Sequence, residues 1–149
     1  MDEFIPVSVK GVYVINTISG LTPMILMTDE ERNIMPIYVG MSEGISINLA
    51  LNNEVTPRPM THDLMVNAIE GLGARITDVF IDEIHDGTFY ARLVLINNGS
   101  TLEIDARPSD CISLAIRVNA SIMICRSVFE SSLITEDELE GMMTLDSLL

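Results

Sequence analysis

Hydrophobic and polar residues alternate along several short stretches of the chain, which is the pattern of half-buried β-strands. These stretches fall into two groups of three: 7–16, 24–28 and 34–39, then 75–83, 88–96 and 101–106. Pro36 lies in the third stretch and predicts an edge strand or a bulge, because proline has no N–H to donate to a neighbouring strand. The sequence Asn97-Asn98-Gly99 predicts a tight hairpin. We therefore expect three antiparallel strands in each group.

Each group of strands is followed by a segment with helical spacing of apolar residues. The predicted helices are 42–51, 61–72, 109–118 and an acidic final helix from Glu136 to Met143, with a short strand predicted at 120–125. The helix at 109–118 is apolar in nearly every direction around its axis, which predicts that it is buried. Ser42, Thr61 and Ser109 are residue types that cap helix N-termini.

The order of these elements contains a repeat. An offset of 67 residues places 12–51 on 79–118, with identities at Val12/Val79, Gly20/Gly87, Leu26/Leu93, Ile37/Ile104, Ser42/Ser109, Ile45/Ile112 and Ser46/Ser113. A helix that is buried on all sides needs a layer on each face, and two three-stranded sheets supply these layers. We predict an α+β fold in which two β(3)-α repeats, about 7–53 and 75–119, form a three-layer β/α/β sandwich with mainly antiparallel sheets. One domain would span 1–130, followed by an acidic tail over 131–149.

Composition indicates the oligomeric state and the cellular compartment to expect for this protein. Hydrophobic residues make up 48% of the 149 residues and the mean hydropathy is +0.35, which predicts a homo-oligomer that hides apolar surface between subunits. No apolar run approaches the roughly 20 residues that span a bilayer, so no membrane association is expected. The N-terminus lacks the layout of a signal peptide. Two cysteines without metal or redox spacing are expected to be buried thiols, so we predict a cytoplasmic protein.

The chain carries 8 basic and 22 acidic residues, a net charge of −14. This balance disfavours non-specific binding to a phosphate backbone, which depends on lysine and arginine. Binding of a nucleic acid would require basic residues at a local site on the protein, or cations that bridge carboxylates to phosphates.

Two junctions place arginine and proline just before a helix start. They are Arg58-Pro59-Met60-Thr61-His62-Asp63 and Arg107-Pro108-Ser109-Asp110. An arginine beside helix N–H groups makes an anion site, to which Arg58, Thr61, Arg107 and Ser109 would contribute. The alternative is structural: the hydroxyls cap the helices while the arginines form ion pairs with Asp63, Asp110 or Asp105.

Five other side chains are candidates for chemistry. His62 is a candidate general acid/base or metal ligand, and otherwise a solvated residue at a helix start. Asp105 is a candidate to hold Mg²⁺ or Mn²⁺ together with Asp110 or Asp63, since hard cations prefer carboxylate oxygen, although no metal-ligand spacing in the sequence supports such a site. Tyr90 is a candidate for stacking on a base, although an aromatic residue in a strand more often packs.

The two junctions, together with Asp86-Gly87-Thr88-Phe89-Tyr90-Ala91-Arg92-Leu93, resemble the bifunctional nuclease (BFN) domain family. The resemblance runs from about Val7 to about Val128 and includes Pro36-Ile37-Tyr38-Val39-Gly40 and Glu43. It implies the two-repeat fold, oligomers, and a nuclease activity on DNA and RNA that is described for plant members.

Two functional hypotheses follow. In the first, the chain is a metal-assisted phosphodiesterase: Arg58 and Arg107 hold phosphate, Asp63, Asp105 and Asp110 ligate the cation, and His62 is the acid/base. In the second, it is a non-catalytic module that binds an anionic ligand or a partner at the same helix starts. The net charge favours the second hypothesis and the family resemblance favours the first.

Overall fold

Two β-sheets with α-helices packed against them make up the computed structural model, which describes residues 3–149. The strands are β1 (Phe4–Pro6), β2 (Ser8–Thr17), β3 (Gly20–Thr28), β4 (Ile34–Tyr38), β5 (Arg75–His85), β6 (Thr88–Asn97), β7 (Ser100–Ala106), β8 (Ser121–Cys125) and β9 (Met143–Thr144). The helices are α1 (Met41–Leu51), α2 (Thr61–Gly71), α3 (Pro108–Val118) and α4 (Arg126–Ser131), with 3₁₀ helices at Glu136–Leu139 and Leu145–Leu148. Met1 and Asp2, part of the signal-peptide argument, lie outside the described residues. The predicted α+β class is confirmed.

One sheet has the strand order β4-β3-β2-β9 and the other β1-β8-β5-β6-β7. Paired strands that follow each other in the chain are antiparallel, and so are β1 with β8 and β2 with β9, whereas β5 and β8 pair parallel. β4 is an edge strand, which agrees with the prediction from Pro36.

The helices connect the two sheets through one hydrophobic core. α1 packs on β2 and β3, α3 packs on β5, β6 and β8, and the two helices pack against each other. Ile47 of α1 and Ile112 of α3 are fully buried in this core. α2 packs on α3, and contacts of His62 with Asp110 and of Arg107 with Glu43 bring the starts of the three helices close together.

The two halves correspond closely at the predicted offset. α1 spans 41–51 and α3 spans 108–118, a displacement of 67 residues at both ends. One difference concerns the third strand of each half: Met35 and Ile37 of β4 are buried, whereas Leu102 and Ile104 of β7 are exposed. The duplication itself and the order of the layers stay predictions.

The helix starts differ from the prediction by one or two residues. The N-cap residues are Gly40, Met60 and Arg107, and none of these caps has the predicted Ser or Thr hydroxyl hydrogen bond. Pro108 begins α3 because its fixed φ suits the first helical position and its missing N–H costs no hydrogen bond there. Ser109 therefore lies inside the first turn.

The acidic tail also differs from the prediction. The expected helix from Glu136 to Met143 is a 3₁₀ helix that ends at Leu139, and Gly141 has a φ of +85°, which a continuing helix does not allow. The rest of the tail docks on the protein. Leu145 is buried in the core, and two asparagines, Asn48 of α1 and Asn52 just after it, donate to the carboxylate of Asp146.

Among residues 3–149, no helix is both long enough and apolar enough to cross a lipid bilayer.

Candidate active site at the helix starts

The candidate site forms where the first turns of α1, α2 and α3 meet. Arg107 precedes α3 and is exposed, with 64% of its side-chain surface accessible. Its Nε donates to Asp110 Oδ2 at 2.9 Å and its Nη2 donates to Asp110 Oδ1 at 3.2 Å. Nη2 also lies 4.0 Å from a carboxylate oxygen of Glu43 on α1. The guanidinium therefore links the starts of α1 and α3.

His62 of α2 completes this group from the buried side. The His62 Nε2 lies 2.9 Å from Asp110 Oδ1, and the imidazole is largely buried. Its other nitrogen, Nδ1, lies 2.8 Å from the hydroxyl of Ser46 on α1. Both ring nitrogens are thus engaged, and the sequence-based alternative of a solvated histidine does not match this burial.

Behind His62 the hydrogen bonds continue into the protein. The hydroxyl of Ser46 lies 2.9 Å from the hydroxyl of Ser113 on α3. Arg117 donates from Nη1 to Ser113 Oγ at 2.6 Å and from Nε to Asp63 Oδ1 at 2.8 Å. A continuous polar chain therefore runs from Arg107 at the surface to Asp63 at the start of α2.

The ionisation of the two aspartates follows from these contacts. Burial opposes the ionisation of Asp110, but hydrogen bonds from Arg107 and His62 outweigh it and hold the pKa of Asp110 below its ordinary value of 3.8. The hydrogen bond from Arg117, helped by the backbone N–H of Met60, lowers the pKa of Asp63. The hydrogen bonds from Arg107 to Asp110 in turn raise the pKa of Arg107. Both carboxylates are ionised and paired at neutral pH.

Three surface pockets, called hollows below, share Arg107 in their lining. The His62 hollow, of about 420 Å³, is lined by Ser42, Glu43, Ser46, Met60, Thr61, His62, Met65, Arg107 and Asp110. The Tyr90 hollow, of about 510 Å³, is lined by Met65, Thr88, Phe89, Tyr90, Leu93, Ile104, Asp105, Ala106, Arg107, Asp110 and Leu114. The Tyr38 hollow, of about 310 Å³, is lined by Ile37, Tyr38, Val39, Gly40, Glu43, Gly87, Thr88, Phe89, Arg107, Pro108 and Ser109.

The structure brings most of the predicted site residues to these hollows. Thr61 lies in the His62 hollow, Ser109 lies in the Tyr38 hollow, and Asp105 and Tyr90 share the Tyr90 hollow. Asp105 is exposed at the end of β7, and its carboxylate has no hydrogen-bond or ion-pair partner within residues 3–149. Tyr90 is 44% exposed, and its ring makes an edge contact with His85.

Arg58 is the exception among the predicted anion-binding residues. It is exposed in the loop between α1 and α2 and lines none of the three hollows. The ion pair predicted for the first junction also has a different partner. Asp63 pairs with Arg117 of α3 rather than with Arg58.

Three residues of the polar chain were not among the sequence candidates: Ser46, Ser113 and Arg117. The available signal was the identity Ser46/Ser113 in the repeat, which places a small polar residue on a mostly apolar helix in each half. Arg117 lies at the other end of α3 from the Arg107 junction, so only the packing of α2 on α3 reveals its role.

The predicted metal ligands do not form a metal site in this arrangement. Residues 3–149 contain no group of three or more histidine, cysteine, aspartate or glutamate side chains placed to hold a metal ion. Asp63 and Asp110 are each hydrogen-bonded to an arginine, which leaves Asp105 as the single open carboxylate of the three. The donor set therefore does not fit Mg²⁺ or Mn²⁺, and the predicted metal dependence stays a prediction.

Comparison with known proteins identifies the family. The family model described as the bifunctional nuclease domain matches residues 24–137, more than half of the chain. The chain belongs to the bifunctional nuclease domain family. The matched segment contains α1, α2 and α3, and therefore every residue of the polar chain from Arg107 to Asp63.

Relatives in the family differ in how they are named. An uncharacterised protein of Mycobacterium tuberculosis is 35% identical over 118 residues, which cover 78% of this chain and 70% of that protein. Bifunctional nuclease 1 of Oryza sativa subsp. japonica is 30% identical over 105 residues, covering 68% of this chain and 32% of the rice protein. Bifunctional nuclease 2 of the same rice is 27% identical over 103 residues, covering 67% of this chain and 32% of that protein.

Proposed function

We propose that this chain hydrolyses phosphodiester bonds in nucleic acid at the site where α2 and α3 begin. The observation that carries the proposal is the exposed guanidinium of Arg107, which lies where three hollows meet. It is hydrogen-bonded to Asp110, which in turn is hydrogen-bonded to His62. The family membership and the names of the rice relatives support the same chemistry.

Arg107 would bind the scissile phosphate. Its Nε and Nη2 are occupied by Asp110, but Nη1 has no partner within residues 3–149 and is free to donate to a phosphate oxygen. The first N–H groups of a helix have no partner within that helix, so the starts of α2 and α3 supply further donors. A localised site of this kind does not require a basic protein, which reconciles the proposal with the net charge of −14.

Asp105 would accept the proton of the attacking water. It is exposed and lines the same hollow as Arg107, and no cation among the described residues occupies its carboxylate. The water oxygen would form the new bond to phosphorus, the bond to the leaving oxygen would break, and that oxygen would take a proton from solvent. Proton transfer to a positioned carboxylate contributes roughly 10²- to 10⁴-fold to such rates.

His62 has a different role in this proposal. Because both of its ring nitrogens are engaged, it holds Asp110 in place, and Asp110 holds Arg107. The acid/base role that the sequence predicts would require one of these hydrogen bonds to break before His62 met the substrate.

The experiment is a hydrolysis assay on single-stranded DNA and RNA oligonucleotides, comparing the wild type with Asp105→Asn. We expect the substitution to lower the rate by at least about 100-fold. Activity that survives in Asp105→Asn would place the chemistry elsewhere or in a contaminant. Parallel reactions with EDTA, Mg²⁺ or Mn²⁺ test the predicted metal dependence, for which the described residues offer no ligand group.

The second candidate is a non-catalytic module that binds an anionic ligand at Arg107. The pairing of Asp63 and Asp110 with arginines favours this candidate, because it leaves few open catalytic groups. Calorimetric titration with a non-hydrolysable oligonucleotide or with inorganic phosphate separates the two. Binding that depends on Arg107 without any turnover by the wild type would support the module and contradict the enzyme.

A further inference from the structure

In the buried part of the polar chain, the groups at the two ends determine which hydroxyl donates each hydrogen bond and which accepts it. At one end, Arg117 can only donate, because a guanidinium has no acceptor atom. The hydroxyl oxygen of Ser113 therefore accepts from Arg117 Nη1 at 2.6 Å. The proton of Ser113 is then available to the hydroxyl of Ser46, 2.9 Å away.

The other end leads to the same direction. The ionised carboxylate of Asp110 can only accept, so His62 Nε2 carries a proton and donates it. In a ring with a single proton, Nδ1 then has a lone pair, and Ser46 donates its proton to it at 2.8 Å. Ser46 and Ser113 thus each donate once and accept once between the two ends.

The two serines do not fix this direction by themselves. They occupy equivalent positions on α1 and α3, 67 residues apart, and either hydroxyl is able to donate to the other. The equivalence is broken on the Ser46 side by His62, as described above, and on the Ser113 side by what lies four residues further along each helix. On α3 this is Arg117, which donates to Ser113, whereas on α1 it is Ala50, which has no donor.

We propose that Arg117 is a positioning residue that sets the direction of this hydrogen-bond chain and thereby holds His62 with its proton on Nε2, pointing at Asp110. Its influence reaches Arg107 through Ser113, Ser46, His62 and Asp110 in turn. The side chain of Arg117 is only 11% exposed and does not line the hollows that meet at Arg107, so it acts without touching substrate. Only the expected effect on rate rests on the proposed hydrolysis.

The test begins with the ¹⁵N NMR spectrum of the His62 ring in the full chain. In the wild type we expect an acceptor-type shift at Nδ1 and an N–H shift at Nε2, since each type of nitrogen has a distinct ¹⁵N shift. A proton found on Nδ1 would overturn the proposal. The second histidine, His85, is exposed and hydrogen-bonded to Glu83, and serves as an internal reference.

The variants then test whether Arg117 is responsible. Arg117→Met removes the donor, and Ser113→Ala removes the link while leaving the ion pair between Arg117 and Asp63. In both we expect the His62 ring signals to shift or broaden, because the Ser46 hydroxyl is no longer held toward Nδ1. Arg117→Lys keeps a donor near Ser113 and is expected to restore the wild-type spectrum. Ring signals in the first two variants that match the wild type would show that Asp110 alone fixes the ring and would overturn the role of Arg117.

The control is Arg126→Met, which removes an arginine that pairs with Glu3 and Glu130 away from the site. We expect it to leave the His62 signals unchanged. In an active preparation, loss of one hydrogen bond of roughly 1 kcal/mol predicts a fall in rate of about 5-fold in Arg117→Met, restored by Arg117→Lys. An inactive wild type would refute the proposed function, while the spectra would still decide the role of Arg117.

Discussion

The hydroxyl oxygens of Ser46 and Ser113 lie 2.9 Å apart in the core, although the two residues are 67 positions apart and occupy equivalent places in α1 and α3. The polar groups around this contact occur once rather than twice. At the same offset, Arg107 corresponds to Gly40, Arg117 to Ala50 and His62 to Phe129. Glycine, alanine and phenylalanine cannot supply the charge or the hydrogen bonds, so this group of polar side chains has no counterpart at that offset within residues 3–149.

Substitution of His62 separates positioning from acid/base chemistry. His62→Gln retains an amide N–H that is able to donate to Asp110, whereas His62→Ala retains none. If His62 acts by holding Asp110, we expect hydrolysis to be about tenfold faster in His62→Gln than in His62→Ala. Equal and complete loss in both variants would instead favour the acid/base role. Steady-state rates on one oligonucleotide measure the difference.

The ion pairs of Asp110 and Asp63 predict a loss of stability in acid. A carboxylate whose pKa is lowered by folding stabilises the protein above its unfolded pKa, and this contribution disappears as pH falls through the lower folded pKa. Both aspartates have pKa values below the ordinary 3.8, so the loss falls in the range below about pH 4. Urea unfolding of the wild type across this range measures it, and a free energy of unfolding that stays constant there would contradict the ion-pair geometry.

Asp110→Asn is expected to remove this contribution at neutral pH. The variant loses charged hydrogen bonds from Arg107 and His62, which predicts a decrease of about 2 kcal/mol in the free energy of unfolding. The difference from wild type should shrink below about pH 4, because the aspartate of the unfolded wild type takes up a proton there and the folded one does so at its lower pKa. Asp105→Asn is the matched control, because its carboxylate has no partner in residues 3–149 and its removal should leave stability unchanged.

The cysteines should be unreactive in the folded protein. Cys111 is fully buried and Cys125 is nearly so. Burial raises the pKa of the Cys111 thiol from 9.0 to about 12, and neighbouring aspartates add to the effect. A rise of this size lowers the thiolate population at neutral pH about 1,000-fold. We expect a thiol reagent to modify neither cysteine until denaturant is added. Rapid labelling of Cys111 in the native state would show that α3 is less buried than described.

The predicted homo-oligomer has a candidate location at the edge strand β7. Its backbone edge is unpaired in this structure, and Leu102 and Ile104 are exposed there, whereas their counterparts at the 67-residue offset, Met35 and Ile37, are buried. If the chain forms the oligomer that its hydropathy predicts, we expect Ile104→Lys to lower the molar mass measured by light scattering. Ile18→Lys, at an exposed hairpin tip, should leave the mass unchanged. An oligomer that survives Ile104→Lys would place the interface elsewhere.

Most of the fold could be predicted from the sequence, because the longer strands show the alternation of apolar and polar residues that indicates a β-strand. β2, β5 and β6 have nine or more residues of β-type composition, and the burial of α3 follows from its apolar sequence. β1 and α4 were not predicted, since three and six residues are too few to show a period. The predicted final helix was wrong beyond Leu139, because Glu140 has an extended backbone and Gly141 has a positive φ.

Contacts in the site could be predicted only between residues that are close together in the sequence. Arg107 and Asp110 are three residues apart across a helix start, and their pairing was one of the alternatives that the sequence predicted. The partner of Asp63 is Arg117, 54 residues away, and the partner of His62 Nδ1 is Ser46, 16 residues away. These contacts depend on how α1, α2 and α3 pack together, and no local pattern specifies that packing.

The most direct test of the site is the rate of oligonucleotide cleavage by Arg107→Gln, measured against Arg126→Gln. Both substitutions remove one positive charge from an arginine that is paired with carboxylates, but only Arg107 lies where the three hollows meet. We expect Arg107→Gln to lose about 100-fold in rate, as expected when a charged donor to the transition state is removed, and Arg126→Gln to match the wild type. Equal rates for Arg107→Gln and the wild type would contradict the assignment of phosphodiester cleavage to this site.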